Sequence, residues 1–247
     1  MKRSAEVCKA ILSIIVFSVI IAFYGNVSAQ VKQEPGSPDV LATVIKPTNI
    51  KVIAEYNDDK GNHIRKIQYD KGHITIQETI VQPIAPVYNL HRPINPDTLN
   101  KDSLLLIVNK SKYNVELYYG KKMIRAYRAV FGPKPLENKS YEGDRCTPEG
   151  AFRIRSKNPK SQYNKFMLLD YPNDSSYARF NSLKANGKIS PTARIGGSVG
   201  IHGIWKGGDD MIDLGVGWTD GCIALTNKDI DELYTFLNVG TRILIRK

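Results

Sequence analysis

The sequence predicts a mainly β fold with a few short helices, and three observations carry that expectation. Residues 104–108, 114–119 and 123–131 are short runs rich in Leu, Ile, Val and Tyr, divided by the turn-forming triplets Lys110-Ser111-Lys112 and Gly120-Lys121-Lys122. Helices are read in only two stretches, residues 174–185 and 226–237. The 19 glycines and 13 prolines punctuate the rest into segments too short for a helical bundle.

Taken in order, residues 1–29 read as a secretory signal. Lys2, Arg3 and Lys9 are basic, residues 10–23 are apolar, and Val27-Ser28-Ala29 offers small residues before a cut at Gln30. The alternative is an uncleaved membrane anchor, since residues 24–29 extend the apolar run toward spanning length. Cys8 precedes the apolar run and is badly placed for lipid attachment. The protein is therefore expected to be exported to the periplasm or cell envelope, with any membrane attachment made only through this segment.

Residues 30–101 are expected to be a linker carrying one β-hairpin. Pro35, Pro38 and Pro47 make the stretch to Asn62 a polar connector, and residues 63–81 alternate Ile and Tyr with polar residues about Asp70-Lys71-Gly72. Pro83, Pro86, Pro93 and Pro96 form a second, stiffer connector. Residues 102–247 are expected to form the main folded domain. Within it, residues 152–156, 165–170 and 195–202 read as further strands, and 174–185 as a helix stopped by Asn186-Gly187. Thr226 caps a last helix with Asp229 three positions on, Ile230, Leu233, Tyr234 and Leu237 form its apolar face, and residues 241–245 return to strand.

The formal charge is +11, falling to +9 for residues 30–247 once Lys2, Arg3, Lys9 and Glu6 are removed. A basic surface suits an anionic cell-wall polymer and equally suits solubility. No zinc-finger spacing and no RNA-binding aromatic motif is present, so nucleic acid is not an expected partner.

The chemistry concentrates late in the chain. His202-Gly203 is followed twenty residues on by Thr219-Asp220-Gly221-Cys222-Ile223. A free thiol has a pKa near ~8.5, so a cysteine nucleophile needs a neighbouring base, and His202 is the candidate. Gly221 lets the backbone turn beside Cys222, and the amides of Gly221 and Cys222 are candidate oxyanion donors. The alternative for Cys222 is a buried structural thiol. No two Cys or His side chains sit at short ligand spacing, which argues against a metal.

These segments, with Gly143-Asp144-Arg145-Cys146-Thr147-Pro148-Glu149-Gly150-Ala151-Phe152 upstream, resemble the L,D-transpeptidase (YkuD-type) catalytic domain over about residues 102–247. The resemblance implies a β-sandwich or barrel and a peptidoglycan L,D-transpeptidase of cell-wall biogenesis. It implies Cys222 as nucleophile forming a thioester with a tetrapeptide stem, His202 as base, an amine acceptor and no cofactor. Thr219 is expected to donate a hydrogen bond inside the Cys222 loop, Gly203 to permit the turn after His202, and Asp220 to tune the pair. Ala224 departs from the family's frequent Arg, whose substrate contact Arg194 or Lys206 would supply. Residues 206–216 are expected to form a long active-site loop flanked by Trp205, an even candidate for substrate contact, and Trp218, read as structural. Cys146 reads as a filler, with a regulatory Cys146–Cys222 disulfide as the alternative. Two other functions remain open: an L,D-carboxypeptidase or hydrolase, and a non-catalytic wall-binding module using the hairpin.

Overall fold

Period-two alternation builds most of this molecule, and it can be followed strand by strand in the computed structural model, which describes residues 47–83 and 93–247. The expected signal segment lies outside the described residues. The first sheet has three antiparallel strands, β1 (Thr48–Asn57), β2 (Asn62–Lys71) and β3 (Ile74–Pro83), in sequence order. Strands β2 and β3 are the expected hairpin. Strand β1 is a correction, because residues 48–57 belong to the stretch read as a linker. It is mostly exposed, with Val52, Ile53 and Tyr56 about half uncovered, so its sequence lacks the sharp alternation of a half-buried strand.

The second sheet is built from β4 (Leu104–Asn109), β5 (Asn114–Tyr119), β6 (Lys122–Arg128), β7 (Gly150–Ser161), β8 (Asn164–Leu169), β9 (Gly200–His202), β10 (Ile223–Ala224) and β11 (Arg242–Arg246). Their spatial order is β10-β9-β8-β7-β11-β4-β5-β6. No continuous ladder closes this sheet, but its two ends touch. Val130, just past β6, and Ala224 of β10 exchange both backbone bonds at 2.9 Å. The sheet therefore curls around its contents.

Alternate residues of each strand face that interior. Leu104, Leu106 and Val108 of β4, Val115 and Leu117 of β5, Phe152 and Ile154 of β7, and Ile243 and Ile245 of β11 are all buried in one cluster. Helix α3 (Asn227–Phe236) covers it with Ile230, Leu233 and Phe236, one helical face. Its N-cap is Thr226, whose side chain accepts from the Asp229 amide. Helix α1 (Asp174–Ala185) is capped by Asn173 and buries only Phe180.

A second apolar cluster joins the two sheets. Ile67, Tyr69 and Ile80 from β2 and β3 pack with Val130, Ile204, Trp205, Met211, Ile212, Val216 and Ala224. Residues 206–216, expected as a loop, contain the short helix α2 (Asp209–Asp213), whose Met211 and Ile212 are fully buried in this cluster. Arg65 of β2 and Arg128 of β6 both donate to the Asp213 carbonyl at the end of α2. The hairpin is thus part of one core with the insertion between His202 and Cys222. Among the described residues no helix is long and apolar enough to cross a membrane.

Candidate active site

Strands β9 and β10 run parallel, with Ile201 opposite Ile223 and His202 opposite Ala224. Side chains alternate across a sheet, so Ile201 and Ile223 enter the main core while His202 and Ala224 share the other face. Cys222 immediately precedes β10, two residues before Ala224, and so starts the same face opposite Gly200. The register brings the two halves of the sequence motif to one sheet edge.

His202 is 2% exposed. Its ring stacks on Tyr163 at 4.9 Å and on Phe166 at 5.8 Å, and meets the edge of Trp218 at 5.5 Å. Its Nδ1 lies 2.7 Å from the carbonyl of Gly203. A carbonyl only accepts, so Nδ1 carries the proton and Nε2 is left as the basic nitrogen. Burial pushes the imidazole pKa down to about 4 against the opposing Gly203 bond.

Gly203 was expected to ease a turn, but close packing explains it better. A Cβ there would lie 2.5 Å from Asn227 Oδ1 and 2.8 Å from the Tyr163 carbonyl.

The Cys222 thiol donates to the Ser198 carbonyl at 3.6 Å. Ser198 has a left-handed φ of 57°, within a Gly196-Gly197 segment that confines β9 to three residues rather than the expected eight. Burial pushes the thiol up to about 11; the Gly200 amide opposes this, Asp220 adds to it, and the Lys139 ammonium opposes it. Both members of the pair are therefore held in their neutral forms at neutral pH, as thiol and imidazole.

The turn that carries Cys222 is fixed from two sides. Thr219 is buried; its Oγ1 donates to the Cys222 carbonyl at 2.7 Å and accepts from the Gly221 amide at 3.3 Å. The Gly221 amide is thus engaged by Thr219 in the resting turn. Gly221 has φ +122°, and a Cβ on it would meet the Cys146 carbonyl at 2.6 Å. Asp220 is exposed and paired with Arg145 Nε at 2.8 Å.

Beneath the turn lies a buried ion pair absent from the sequence reading. Lys139 Nζ meets Asp144 Oδ1 at 2.9 Å, and its ammonium would lie 3.9 Å from a Gly221 Cβ. Burial alone would raise the Asp144 carboxyl, but amides of Ser140, Cys146 and Tyr141, with Lys139, outweigh it and hold the group below the usual range. A second lysine, Lys110, is fully buried and ties Glu149, the Glu137 carbonyl and the Thr147 carbonyl together. The Gly143–Phe152 motif is therefore held by Lys110 and Lys139 from outside it and packs under the Cys222 turn, the Cys146 carbonyl against Gly221.

Cys146 and Cys222 are both free thiols. The Cys146 thiol points to the Asp144 carbonyl at 3.4 Å.

Other expected site residues fare differently. Trp205 is 9% exposed and packed in the second cluster, against Trp218 at 5.0 Å. Trp218, half-buried, is the tryptophan at the edge of His202. Arg194 is exposed and bonded to Glu142 Oε2 at 2.7 Å, and Lys206 is exposed. Tyr163 and Phe166, the two rings stacked on His202, carry no motif in the sequence; Phe166 pairs with His202 across β8 and β9, and Tyr163 lies in the turn just before β8. Among the described residues no group of three His, Cys, Asp or Glu side chains is placed to hold a metal.

Comparison with known proteins gives this arrangement its family. The L,D-transpeptidase catalytic-domain (YkuD) family model matches residues 103–245. A Bacillus subtilis (strain 168) protein named "Putative L,D-transpeptidase YqjB" is 25% identical over 171 residues, covering 68% of this chain and 82% of the relative. Among solved structures, Bdellovibrio bacteriovorus Bd1075 is 22% identical with a TM-score of 0.40, over 59% of this chain and 48% of that one. The chain thus spans about half the length of that structure. An L,D-transpeptidase from Mycobacterium smegmatis is 13% identical with a TM-score of 0.37, over 80% and 82% of the two chains. With more than half its residues matched by the family model, this chain belongs to the L,D-transpeptidase catalytic-domain family.

Proposed function

We propose that the protein is an exported L,D-transpeptidase that uses Cys222 as nucleophile on peptidoglycan stem peptides. The observation that carries the reading is the shared sheet face of Cys222 and His202, with the His202 Nδ1–H committed to Gly203 so that Nε2 is the base. Because burial keeps both groups neutral, proton transfer accompanies attack. Cys222 Sγ bonds the carbonyl carbon of the third residue of a tetrapeptide stem as its proton passes to His202 Nε2. The bond to D-alanine then breaks, and its amine leaves with that proton. An acceptor amine attacks the thioester, gives its proton through His202 and restores the thiol. The Cys222 amide is the first candidate donor to the oxyanion. The Gly221 amide serves as second if it shifts from Thr219, where its 3.3 Å bond is long. No organic cofactor or metal enters this scheme.

Water in place of the amine would make the same site an L,D-carboxypeptidase. A wall-binding role without catalysis is disfavoured by the oriented His202 and the supported Cys222 turn. Incubation of the protein and its Cys222→Ala variant with disaccharide-tetrapeptides, with products resolved by mass spectrometry, separates the three readings. Dimers indicate transpeptidation, tripeptides alone indicate hydrolysis, and no cysteine-dependent product indicates binding.

A further inference from the structure

The register of the large sheet gathers basic side chains at one end of it. Arg242 of β11 stands directly opposite Arg153 of β7, and on its other side β11 pairs Arg242 with Leu105 of β4. Leu104 and Leu105 lie opposite Tyr119 and Tyr118 of β5, and Tyr119 lies opposite Lys122 of β6. Lys121, in the β5–β6 turn, and Lys101, just before β4, complete the row. The Gly120 amide of that turn donates to the Ser103 carbonyl at 3.0 Å, which brings the two lysine-bearing segments together. At about 4.8 Å per strand, the row from β7 to β6 runs roughly 20 Å. A cleft of about 530 Å³ opens in it, lined by Lys101, Asp102, Arg153, Asn238 and Arg242 among others.

The charge of this row is left standing. Among the described residues, Lys101, Lys121, Lys122, Arg153 and Arg242 have no carboxylate within 4 Å. Asp102 lines the cleft and Asp170 accepts from the Arg153 amide, but neither pairs with these cations. Like charges directly opposite on neighbouring strands destabilise a sheet, so the Arg153–Arg242 pair weakens the fold it sits in. Two of the cations are nevertheless held by neutral acceptors. Arg153 Nη1 donates to the Gly240 carbonyl at 2.9 Å, and Lys101 Nζ to the Thr235 carbonyl at 3.0 Å. Ordering charge without neutralising it pre-organises a site for an anion. One guanidinium fork fills a carboxylate in its plane, whereas tetrahedral phosphate offers oxygens to two forks from neighbouring strands. Repetition of charge along the row extends the match from one phosphate to a chain of them.

We propose that this row binds a linear phosphodiester polymer, with Arg153 and Arg242 sharing one phosphate at the cleft and Lys101, Lys121 and Lys122 taking neighbouring ones. The row follows β7, β11, β4, β5 and β6, whereas His202 and Cys222 lie at β9 and β10. The site is therefore separate from the acyl-transfer reading and stands or falls without it. Its role is retention of the protein on an anionic polymer.

The test titrates the full chain with a fluorescent oligo(glycerol phosphate) at one fixed ionic strength, read by anisotropy. Arg153→Gln with Arg242→Gln should weaken binding by about tenfold or more, while iodoacetamide alkylation of Cys222 is unchanged. Lys51→Gln with Lys60→Gln removes the same charge from exposed positions at the N-terminal sheet and should change binding by less than about twofold. Equal losses in the two double variants, or no binding by the parent chain, overturn the proposal.

Two further probes fix the ligand. Equally tight binding of a polyglutamate of matched charge overturns the phosphate assignment, and binding to phosphatidylglycerol vesicles without binding to the oligomer overturns the polymer assignment. If the double arginine variant does not fold, Arg242→Lys replaces it, keeping the charge and losing the fork. That variant should weaken oligomer binding by about threefold or more, and unchanged binding overturns the proposal.

Discussion

His202 gives its Nδ1–H to the carbonyl of the next residue, Gly203, at 2.7 Å. The orienting group of this imidazole is therefore a backbone carbonyl from its own strand end, not a carboxylate. A neutral partner stabilises the imidazolium less than an acid would, which agrees with the low pKa that burial imposes on the ring.

The first prediction concerns pH. With His202 near 4 and the thiol near 11, acylation of Cys222 by the donor should be nearly flat between about pH 5 and 9, rather than bell-shaped about unshifted values. Stability should follow the same group. His202 titrates lower folded than unfolded, so its contribution is complete above the unfolded value near ~6.5. It is lost as pH falls through 4, by about 3 kcal/mol at most. Melting curves from pH 7 to 4, with His202→Gln as comparator, check the sign: the variant should lose less on acidification.

Asp220 raises the Cys222 thiol and is itself exposed beside Arg145. Asp220→Asn should therefore shift the pH profile of Cys222 alkylation by iodoacetamide to lower pH. A shift to higher pH would show that the Asp220–Arg145 pair acts on the turn through geometry instead.

Thr219 holds both the carbonyl of Cys222 and the amide of Gly221. Thr219→Val keeps the shape and removes both bonds, leaving two buried polar groups. It should cost about 1–3 kcal/mol of stability and lower kcat more than the donor KM. Equal activity with unchanged melting would remove Thr219 from the account of the turn.

Much of this was legible before any coordinates. The Thr226 cap and the apolar face of Ile230, Leu233 and Leu237 mark the start and the buried side of the last helix. The His202 and Cys222 motifs mark the candidate site by residue type, and the β9–β10 register brings them to one sheet face. What escaped reading has a common physical cause: it depends on partners distant in sequence. Lys110 and Lys139 look like surface lysines, and only the folded loop gives them Glu149 and Asp144. Strand β1 exposes most of its residues, so no alternation betrays it. Helix α2 is five residues long, too short for periodicity, and its buried Met211 and Ile212 face a sheet 130 residues earlier in the chain.

Lys139 and Asp144 are both almost completely buried, so removing one partner leaves an uncompensated charge. Lys139→Met should destabilise the protein by about 3–5 kcal/mol in chemical denaturation. It should also slow Cys222 alkylation at pH 8, since the ammonium opposes the rise of the thiol pKa. Wild-type melting with wild-type alkylation would contradict the supporting role assigned to the motif.

Ile67 is fully buried between the N-terminal sheet and the insertion that carries α2. Ile67→Ala should cost about 2–5 kcal/mol, as a core truncation does, rather than the near-zero cost of a change in an independent linker. Denaturant titration of the full chain reads the difference.

The most direct test is the mass of the enzyme itself after brief exposure to a disaccharide-tetrapeptide. The account predicts an adduct on Cys222 equal to the donor less alanine, absent in Cys222→Ala and greatly slowed in His202→Gln. A product formed without that adduct, or an adduct equally fast in His202→Gln, would contradict it.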